Sequence, residues 1–310
     1  MSETAPAAAD PIVDVTTVSD TAATIHATGA DGTVTVHHLD GLAPDRPVTH
    51  RVVVDGDTVT VELRTLPRPP GPLLCRFATV NDVHFGEVVA GQIDDLPDGP
   101  IRRSAPGEDP YPEVMNRAAV AEIDTIDPEA VIVKGDLSLD GAEEEWDAFE
   151  ACYRAPFRDR LFVVRGNHDA YRGQERYSGD QRIDLPGLTV ALLDTAIPRA
   201  TTGDITAEQA EWLDELVVAA DGPVFAMGHH QQWMVDPERP ERRSDDHFGL
   251  HPDGSDRLDE VCLRRPSIVA YAAGHTHRHR RREMTASGIP SIEVGCTKDF
   301  PGTWAEYRVH

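Results

Sequence analysis

Residues of the types that bind metal ions stand directly after five apolar runs of this chain. The five segments are Asn81-Asp82-Val83-His84, Gly135-Asp136, Gly166-Asn167-His168-Asp169, Gly228-His229-His230 and Gly274-His275-Thr276-His277. Carboxylate oxygen and neutral imidazole suit zinc, manganese and iron, and the segments contain no cysteine, which disfavours a structural zinc site of the thiolate type. Eight of these side chains are too many for one ion: Asp82, His84, Asp136, Asn167, His168, His229, His275 and His277. They suit two metals that share a bridging carboxylate, roughly 3.5–4 Å apart.

The elements that must position these side chains alternate between strand and helix. AVIVKGD (130–136) and LFVVRGNHD (161–169) read as buried strands that run into the motifs. PEVMNRAAVAEIDTI (112–126), GAEEEWDAFEACY (141–153) and TAEQAEWLDELVVAA (206–220) carry apolar residues at helical spacing. This alternation predicts an α/β domain whose sheet faces are covered by helices. Because sites in open α/β sheets form outside the carboxyl ends of strands, we expect the five motifs at one edge.

The part of the chain before this domain has a different pattern. Residues 1–10 are predicted to be a flexible tail, and residues 11–66 contain five short runs rich in β-branched residues, separated by turn residues. Such runs predict a small antiparallel β-sandwich. Residues 67–72 (PRPPGP) predict an extended linker, since proline disfavours helix. The α/β domain is then expected to occupy residues 73–310.

Two segments fit no regular element. Residues 85–111 are rich in Gly, Pro and Asp, and residues 231–256 are polar and charged. Long loops in compact domains are often lids over a site, but surface insertions are equally consistent with these two patterns.

Composition excludes several classes of function. The 310 residues carry a formal charge of −25, and the pI near 4.8 disfavours a protein that binds nucleic-acid polymers through a basic face. No apolar run is long enough for membrane insertion, and the first residues show no secretory signal, so a cytoplasmic location is expected. In that compartment the four cysteines are expected to be free thiols, with two disulfides in an exported protein as the alternative.

Taken together, the five motifs resemble the signature of the calcineurin-like metallophosphoesterases, over Leu73 to about Val294. The resemblance implies a four-layer αββα sandwich that holds two divalent or trivalent metal ions, with manganese, iron and zinc as the candidates. It implies that one ion is bound by Asp82, His84, Asp136 and His277, and the other by Asp136, Asn167, His229 and His275. Asp136 would bridge the two ions.

The resemblance also implies how such a centre reacts. A hydroxide that bridges the metals would attack phosphorus, and His168 would be the catalytic histidine rather than a ligand. His168 would protonate the leaving-group oxygen, and Asp169 would orient its imidazole. With neutral histidines, two divalent ions, two carboxylates and one hydroxide sum to about +1, and the neutral Asn167 keeps the centre attractive to a phosphate oxyanion.

Two comparisons indicate which branch of the family this chain resembles. The small N-terminal sandwich and its Pro-rich linker resemble the fibronectin-III-like domain that precedes the catalytic domain of purple acid phosphatases, although this sandwich is short for such a domain. Those enzymes carry an iron-binding tyrosine three residues after the bridging aspartate, where this chain has Leu139. The chain therefore resembles more closely the bacterial branch that is similar to cyclic-nucleotide phosphodiesterases.

The sequence says less about the substrate than about the metal ligands. Candidate substrate contacts are Arg102, Arg103, Trp233, His247 and Arg278. The leading hypothesis is a hydrolase that cleaves phosphodiester or phosphomonoester bonds of a small anionic substrate, such as a cyclic nucleotide. A rival hypothesis is a phosphatase or pyrophosphohydrolase that acts on nucleotide, sugar or lipid phosphates. A rival from another class is a non-catalytic scaffold on the same fold, with the N-terminal sandwich as a docking module.

Overall fold

The computed structural model describes residues 12–93, 96–233 and 248–310 of the chain. The chain divides into two compact units between Pro72 and Leu73. Within the described ranges, no helix combines the length and the apolar character that crossing a bilayer requires.

The described part of the N-terminal unit, residues 12–72, contains five antiparallel strands. They are β1 (Ile12–Val18), β2 (Ala23–Thr28), β3 (Val34–Leu39), β4 (Pro47–Val54) and β5 (Asp57–Arg64). β1, β2 and β3 form one sheet, and β4 and β5 form a two-stranded hairpin. Alternate residues of β2 are buried, and Ile25 packs with Val52 and Val61 in a small core. The alternation of β-branched residues in the sequence therefore predicts these strands well.

The C-terminal unit alternates strands and helices. Its elements are β6 (Cys75–Val80), β7 (Val89–Ile93), β8 (Leu96–Arg103), α1 (Tyr111–Thr125), β9 (Ala130–Lys134), α2 (Glu143–Phe157), β10 (Leu161–Val164), α3 (Asn167–Ala170), β11 (Gln181–Leu185), β12 (Leu188–Leu193), α4 (Ala207–Ala219), β13 (Val224–Gly228), α5 (Pro252–Arg264), β14 (Ile268–Ala273), β15 (Arg280–Glu283), β16 (Pro290–Glu293) and β17 (Ala305–Val309).

These strands build two larger sheets. One has the order β10-β9-β6-β17, and the other has the order β11-β12-β13-β14-β16-β15. β10, β9 and β6 run parallel to one another, as do β12, β13, β14 and β16. The remaining edge strands β17, β11 and β15 pair antiparallel. The carboxyl ends of the parallel strands within each sheet therefore lie at one edge, as the sequence predicts.

The inner faces of the two sheets pack against each other. Phe77 and Ile132 from the four-stranded sheet share one buried cluster with Leu192 and Phe225 from the six-stranded sheet. The rings of Phe77 and Phe225 lie 6.4 Å apart in an edge-to-face arrangement. This apolar interface fixes the two sheets relative to each other, and hence the strand ends that carry the motifs.

Helices cover the two outer faces. Phe149 of α2 packs with Val133 of the four-stranded sheet, and Leu213 of α4 packs with Ala226 of the six-stranded sheet. The C-terminal unit thus has four layers in the order helix, sheet, sheet, helix. The α/β fold expected from the sequence is confirmed.

Two segments that were predicted to be irregular contain regular structure. Residues 85–111 include the hairpin of β7 and β8, so the prediction of a structureless loop there was wrong. The register shifts around Gly91, which has a φ of +81°. A glycine that allows a bulge hid the strand from a search for alternating residues. In residues 231–256, α5 begins at Pro252, which stands in the first turn of the helix, where proline is favoured.

Candidate metal centre

Five strand ends bring the motif residues of the C-terminal unit together. β6 leads directly to Asp82 and His84, β9 leads to Asp136, and β10 leads to Asn167 at the start of α3. β13 leads to His229, and β14 leads to His275 and His277. All of these residues except His277 are less than 9% exposed. His277 exposes more of its backbone, but its side chain is only 7% exposed.

The backbone at this edge adopts an uncommon conformation. Asp82, His84, Asp136, His275 and His277 all have positive φ angles, between 43° and 68°. Residues with a Cβ atom rarely adopt this left-handed region, and such positions cluster at functional sites because the surrounding fold must hold them. The chain therefore turns sharply at five of the predicted ligands, which aims their side chains into one space.

Glycines next to the ligands permit a close approach of the segments. A Cβ atom built on Gly166 would lie 2.2 Å from Oδ1 of Asp136, and one on Gly135 would lie 2.6 Å from Nδ1 of His229. Neither distance is possible for a real side chain. The small residues that precede the ligands are thus required by the packing of one motif against another.

The first ligand group consists of Asp82, His84 and His277. One donor atom from each lies within 4.8 Å of the others. Nε2 of His277 is 3.7 Å from Oδ1 of Asp82, and Nε2 of His84 is 3.6 Å from Oδ2 of Asp136. These spacings leave room for a cation among the four side chains.

The second ligand group consists of Asn167, His229 and His275. Nε2 of His229 lies 2.9 Å from Oδ1 of Asn167 and 3.2 Å from Oδ2 of Asp136. The rings of His229 and His275 are 5.0 Å apart. Asp136 Oδ2 lies near a histidine of each group, at 3.6 Å from His84 and 3.2 Å from His229, and the bridging role that the resemblance implies for Asp136 stays a prediction.

The donor set fits metal ions. Each ligand histidine has one ring nitrogen that faces an oxygen outside the ligand groups. Two of them face carboxylates: His84 Nδ1 is 3.0 Å from Glu87, and His277 Nδ1 is 3.6 Å from Asp299. The other two face backbone carbonyls: His229 Nδ1 is 2.8 Å from that of Lys134, and His275 Nε2 faces that of Phe248. Both ring nitrogens of His84 and Nδ1 of His277 are buried without a hydrogen bond, so the contacts of these two rings with Glu87 and Asp299 are electrostatic. Histidines that bind metals characteristically give their outer nitrogen to such an acceptor and keep the inner one for the ion.

The candidate ligand histidines differ in how readily they give up a proton to a cation. Burial opposes protonation of His277, but Cys296, Asp299 and Asp82 outweigh it and raise its pKa well above the usual value. Burial lowers the pKa of His275 to about 3 and also lowers the pKa of His84, so these imidazoles are neutral and have a free electron pair. Burial also opposes protonation of His229, but the Asp136 carboxylate outweighs it and raises the pKa of His229 to about 9. Since a ligand must lose its proton, cation binding at His229 competes with that proton.

Comparison with known proteins agrees with this geometry. The sequence profile of the calcineurin-like phosphoesterases matches residues 75–279. The chain belongs to this family. Its membership confirms the recognition made from the five motifs and places the protein among the phosphoester hydrolases.

Individual relatives come from several organisms. A probable cyclic nucleotide phosphodiesterase of Synechococcus is 24% identical over 187 residues, which cover 57% of this chain and 70% of that protein. The 3',5'-cyclic adenosine monophosphate phosphodiesterase CpdA of Pseudomonas aeruginosa is 23% identical over 189 residues, covering 56% and 63%. The crystal structure of a dimetal phosphatase from Danio rerio superposes with a TM-score of 0.57 at 16% identity, covering 77% and 94%, which shows a shared fold.

His168 stands beside the family's ligand residues. One of its ring nitrogens lies within 4.8 Å of donor atoms of His84 and Asp136. Its Nδ1 lies 2.6 Å from the carbonyl oxygen of Leu139, to which an N–H at that position donates. The backbone N–H of His168 also donates to Oδ1 of Asp136 at 3.0 Å. With Nδ1 engaged, Nε2 is the ring nitrogen that can exchange a proton with a substrate.

The hydrogen bonds of Asp169 run to the backbone, and the orienting role that the resemblance implies for Asp169 stays a prediction. Its carboxylate accepts hydrogen bonds from the backbone N–H groups of Gly166, Leu137 and Ser138, at 2.8 to 3.2 Å. The ring of His168 is oriented by the carbonyl oxygen of Leu139. Adjacent residues on a helix point roughly 100° apart, so Asp169 turns away from its neighbour. Asp169 holds the loop that follows the bridging Asp136.

His230 is the one motif histidine that was left without a role. It is buried beside His229 and His275. Its Nδ1 lies 2.8 Å from Oγ1 of Thr195, and its Nε2 lies 3.2 Å from the carbonyl oxygen of Thr201. Both ring nitrogens therefore have protein partners, which fits a structural role.

An open cavity of about 540 Å³ leads to the centre. It is lined by His84, His275, His277, Asp136, Asn167 and His168 and by Gly86, Glu87, Val88, Val89, Gln92, Leu139, Tyr171, Thr201 and Phe248. Sequence reasoning missed most of the second set. A signal was present for Tyr171, which stands four residues after Asn167 on one helical face and accepts a hydrogen bond from its side-chain amide at 2.8 Å.

The predicted substrate contacts are not among the described lining residues. Arg102 lies over the ring of Phe300 at 5.2 Å, and Arg103 pairs with Val89 in the hairpin of β7 and β8. The backbone N–H of Trp233 donates to Ser255, and Nε of Arg278 donates to the carbonyl of Thr276. His247 lies outside the described residues. Substrate contact by these five side chains stays a prediction.

Proposed function

We propose that the protein is a dinuclear metal-dependent phosphodiesterase that hydrolyses a small phosphodiester, with a 3',5'-cyclic nucleotide as the leading candidate. The observation that carries the proposal is the sharing of Asp136 between the first and second ligand groups at the floor of an open cavity. Membership in the calcineurin-like family supports the reaction type. The names of the bacterial relatives support the substrate class.

Two cations held by the first and second ligand groups and Asp136 would supply Lewis-acid chemistry at this floor, for activating water and polarising phosphate oxygens. The chain sets the charge that these cations present. Asp82 and Asp136 contribute two negative charges, whereas Asn167 and the ligand histidines contribute none when neutral. Because the ligands themselves contribute only these two negative charges, the loaded centre stays attractive to an anionic phosphate.

His168 moves the proton that the leaving group needs. The Leu139 carbonyl accepts from Nδ1 and so directs Nε2 toward the cavity. In the imidazolium form, Nε2–H can donate to the departing alkoxide oxygen as the P–O bond breaks. His168 is thus the general acid of the proposed reaction, and Leu139 selects its tautomer through the backbone.

The cavity walls suit a substrate with organic groups around one charged phosphate. Val88, Leu139 and Phe248 line the cavity and are 62%, 37% and 40% exposed. Gln92 and Tyr171 add neutral polar groups. The volume of about 540 Å³ lies in the range of small-molecule sites. An exposed phenyl ring beside the ligand histidines offers a surface on which a nucleobase can stack.

Turnover of three substrates tests the proposal. Manganese-loaded protein is assayed with 3',5'-cyclic AMP, bis(p-nitrophenyl) phosphate and p-nitrophenyl phosphate under the same conditions. We expect kcat/KM for both diesters to exceed that for the monoester by about tenfold or more, a difference of about 1.4 kcal/mol in transition-state binding. Preference for the monoester would favour the phosphatase hypothesis. No turnover by protein that holds two metals per chain would favour the scaffold.

Phe248→Ala separates the cyclic nucleotide from other diesters. The change removes the ring but keeps the backbone carbonyl that faces His275. Loss of one stacking contact is expected to raise KM for cyclic AMP about five- to tenfold. Val218→Ala, another exposed apolar residue in the same unit, is the matched control and should leave KM unchanged. An unchanged KM in Phe248→Ala would remove the structural argument for a nucleobase. The metal identity and the cytoplasmic location stay predictions.

A further inference from the structure

The first and second ligand groups differ in what holds the outer nitrogens of their histidines. In the second group, His229 and His275 face neutral backbone carbonyls. In the first group, His84 faces the carboxylate of Glu87 at 3.0 Å, and His277 faces the carboxylate of Asp299 at 3.6 Å. One half of the centre is therefore supported by charged acceptors, and the other half by uncharged ones.

A buried lysine joins the two carboxylates. The side chain of Lys298 is 0% exposed, and its Nζ lies 2.7 Å from Oε2 of Glu87 and 3.1 Å from Oδ1 of Asp299. The path His84–Glu87–Lys298–Asp299–His277 is thus a continuous series of contacts that begins and ends on the first ligand group.

The segment that carries Lys298 is fixed at several other points. The backbone N–H of Lys298 donates to the carbonyl oxygen of Asp82 at 3.3 Å. Oδ1 of Asp299 accepts from the backbone N–H of Gly91 at 2.6 Å, and Oδ2 accepts from the thiol of Cys296 at 3.1 Å. These bonds tie the lysine to the same strand end that supplies the first ligand group, which limits how far its partners can move.

The charges in this buried series explain why a lysine is needed. Glu87 and Asp299 carry like charges, and without a cation between them they would repel each other in the low-dielectric interior and move apart. Lys298 Nζ lies within 3.1 Å of both carboxylates and holds them beside His84 and His277. A carboxylate that faces the outer nitrogen orients the imidazole and makes its inner nitrogen a stronger metal donor.

We propose that Lys298 is a positioning residue that holds Glu87 and Asp299 against His84 and His277, so that the first ligand group binds its cation more tightly than the second. The inference rests on the dinuclear centre of the proposed function. It adds that the two halves are unequal and names the residue that makes them so.

Titration of metal-free protein with Mn²⁺, with free Mn²⁺ followed by electron paramagnetic resonance, tests the inequality. Wild type should bind two equivalents in two distinguishable steps. Lys298→Met should weaken the tighter step about 10- to 100-fold and leave the other unchanged, the range typical of lost outer contacts. Asn167→Ala should weaken the other step, and the double variant should weaken both. If Lys298→Met weakened the same step as Asn167→Ala, or neither step, the proposal would be wrong.

Further variants control for charge and folding. Lys298→Arg keeps the positive charge and should retain most of the tighter step. Arg265→Met removes a different cation–carboxylate pair, 2.7 Å from Asp214 and remote in sequence from the ligands, and should leave both steps unchanged. If circular dichroism shows that Lys298→Met is unfolded, Glu87→Gln must produce the same selective loss, and equal steps in that variant would overturn the proposal.

The titration also separates this proposal from the proposed function. Wild-type protein that binds two Mn²⁺ ions in unequal steps but hydrolyses none of the three substrates would overturn the phosphodiesterase and leave the role of Lys298 standing. Wild-type protein that hydrolyses diesters but shows two equal steps would overturn the role of Lys298 alone.

Discussion

Both compact units of this protein carry histidines on or beside β-strands, but they use them differently. In the N-terminal unit, His26 lies within β2, His37 and His38 lie within β3, and His50 lies within β4. The rings of His37 and His50 are 5.6 Å apart. Among the described residues, the groups of donor atoms close enough to hold a metal ion all lie in the C-terminal unit.

The difference lies in where each histidine stands on its strand. Successive residues inside a strand point to opposite faces, so His37 and His38 cannot serve one site. The ligands of the C-terminal unit stand just beyond their strands, where a positive φ turns the chain at residues such as Asp82 and His275. The comparison teaches that histidine content does not predict a metal centre. A histidine that stands just after a strand and close to a carboxylate is the better indication of such a centre.

The strongest test of this comparison removes one side chain from each unit in separate variants. Asp136→Ala removes the oxygen that both ligand groups share, so we expect loss of both metals and of all measurable hydrolysis of bis(p-nitrophenyl) phosphate. His50→Ala, a histidine inside a strand, should keep two metals per chain and full activity. Metal analysis together with turnover decides between the two, and two metals retained in Asp136→Ala would contradict the bridging role.

Removal of the general acid should have the next largest effect. His168→Ala is expected to keep both metals and to lose about 10²- to 10⁴-fold in kcat for cyclic AMP, whose alkoxide leaving group needs a proton. The loss should be much smaller for bis(p-nitrophenyl) phosphate, because p-nitrophenolate leaves without protonation. His38→Ala is the control. Equal losses on the two substrates would exclude general-acid catalysis by His168.

The packing of one motif against another can be tested at a glycine. Gly166→Ala places a Cβ atom 2.2 Å from Oδ1 of Asp136, so one of the two segments must shift. We expect Mn²⁺ affinity to fall about 10-fold or more, as for other displaced contacts of a metal ligand. In Gly222→Ala the nearest atom is 3.9 Å away, so this control should bind Mn²⁺ normally. Equal affinities would show that the glycine is not needed for the approach.

The smallest effect concerns acid stability of the metal-free protein. Burial alone would raise the pKa of Glu87, but His84 and Lys298 outweigh it and lower the pKa from 4.5 to about 2. The ionised carboxylate therefore stabilises the fold fully above pH 4.5, and this contribution is lost as the pH falls toward 2. Urea denaturation should find Glu87→Gln less stable than wild type by about 1–2 kcal/mol at pH 6, with the gap closing toward pH 3. A gap that is independent of pH would contradict the assignment.

Much of the fold could be predicted from local patterns. The apolar runs before Asp82, Asp136 and His229 become buried strands, since a fully covered sheet needs continuous apolar residues. Family membership, the hydrolase class and the layered α/β fold follow from the same motifs and are confirmed. The hairpin of β7 and β8 was missed because Gly91 interrupts its alternation.

The sequence by itself determined which residue types stand at the strand ends, because strand and ligand signals are local in the chain. The tertiary structure decided which way each side chain turns. In the folded chain, the Asp169 carboxylate accepts a hydrogen bond from the backbone of the loop after Asp136, and His168 Nδ1 lies at the carbonyl oxygen of Leu139. It also placed Glu87 and Lys298 in contact, although they are far apart in sequence. Such contacts depend on how two packed sheets align their edges, and no local pattern records that alignment.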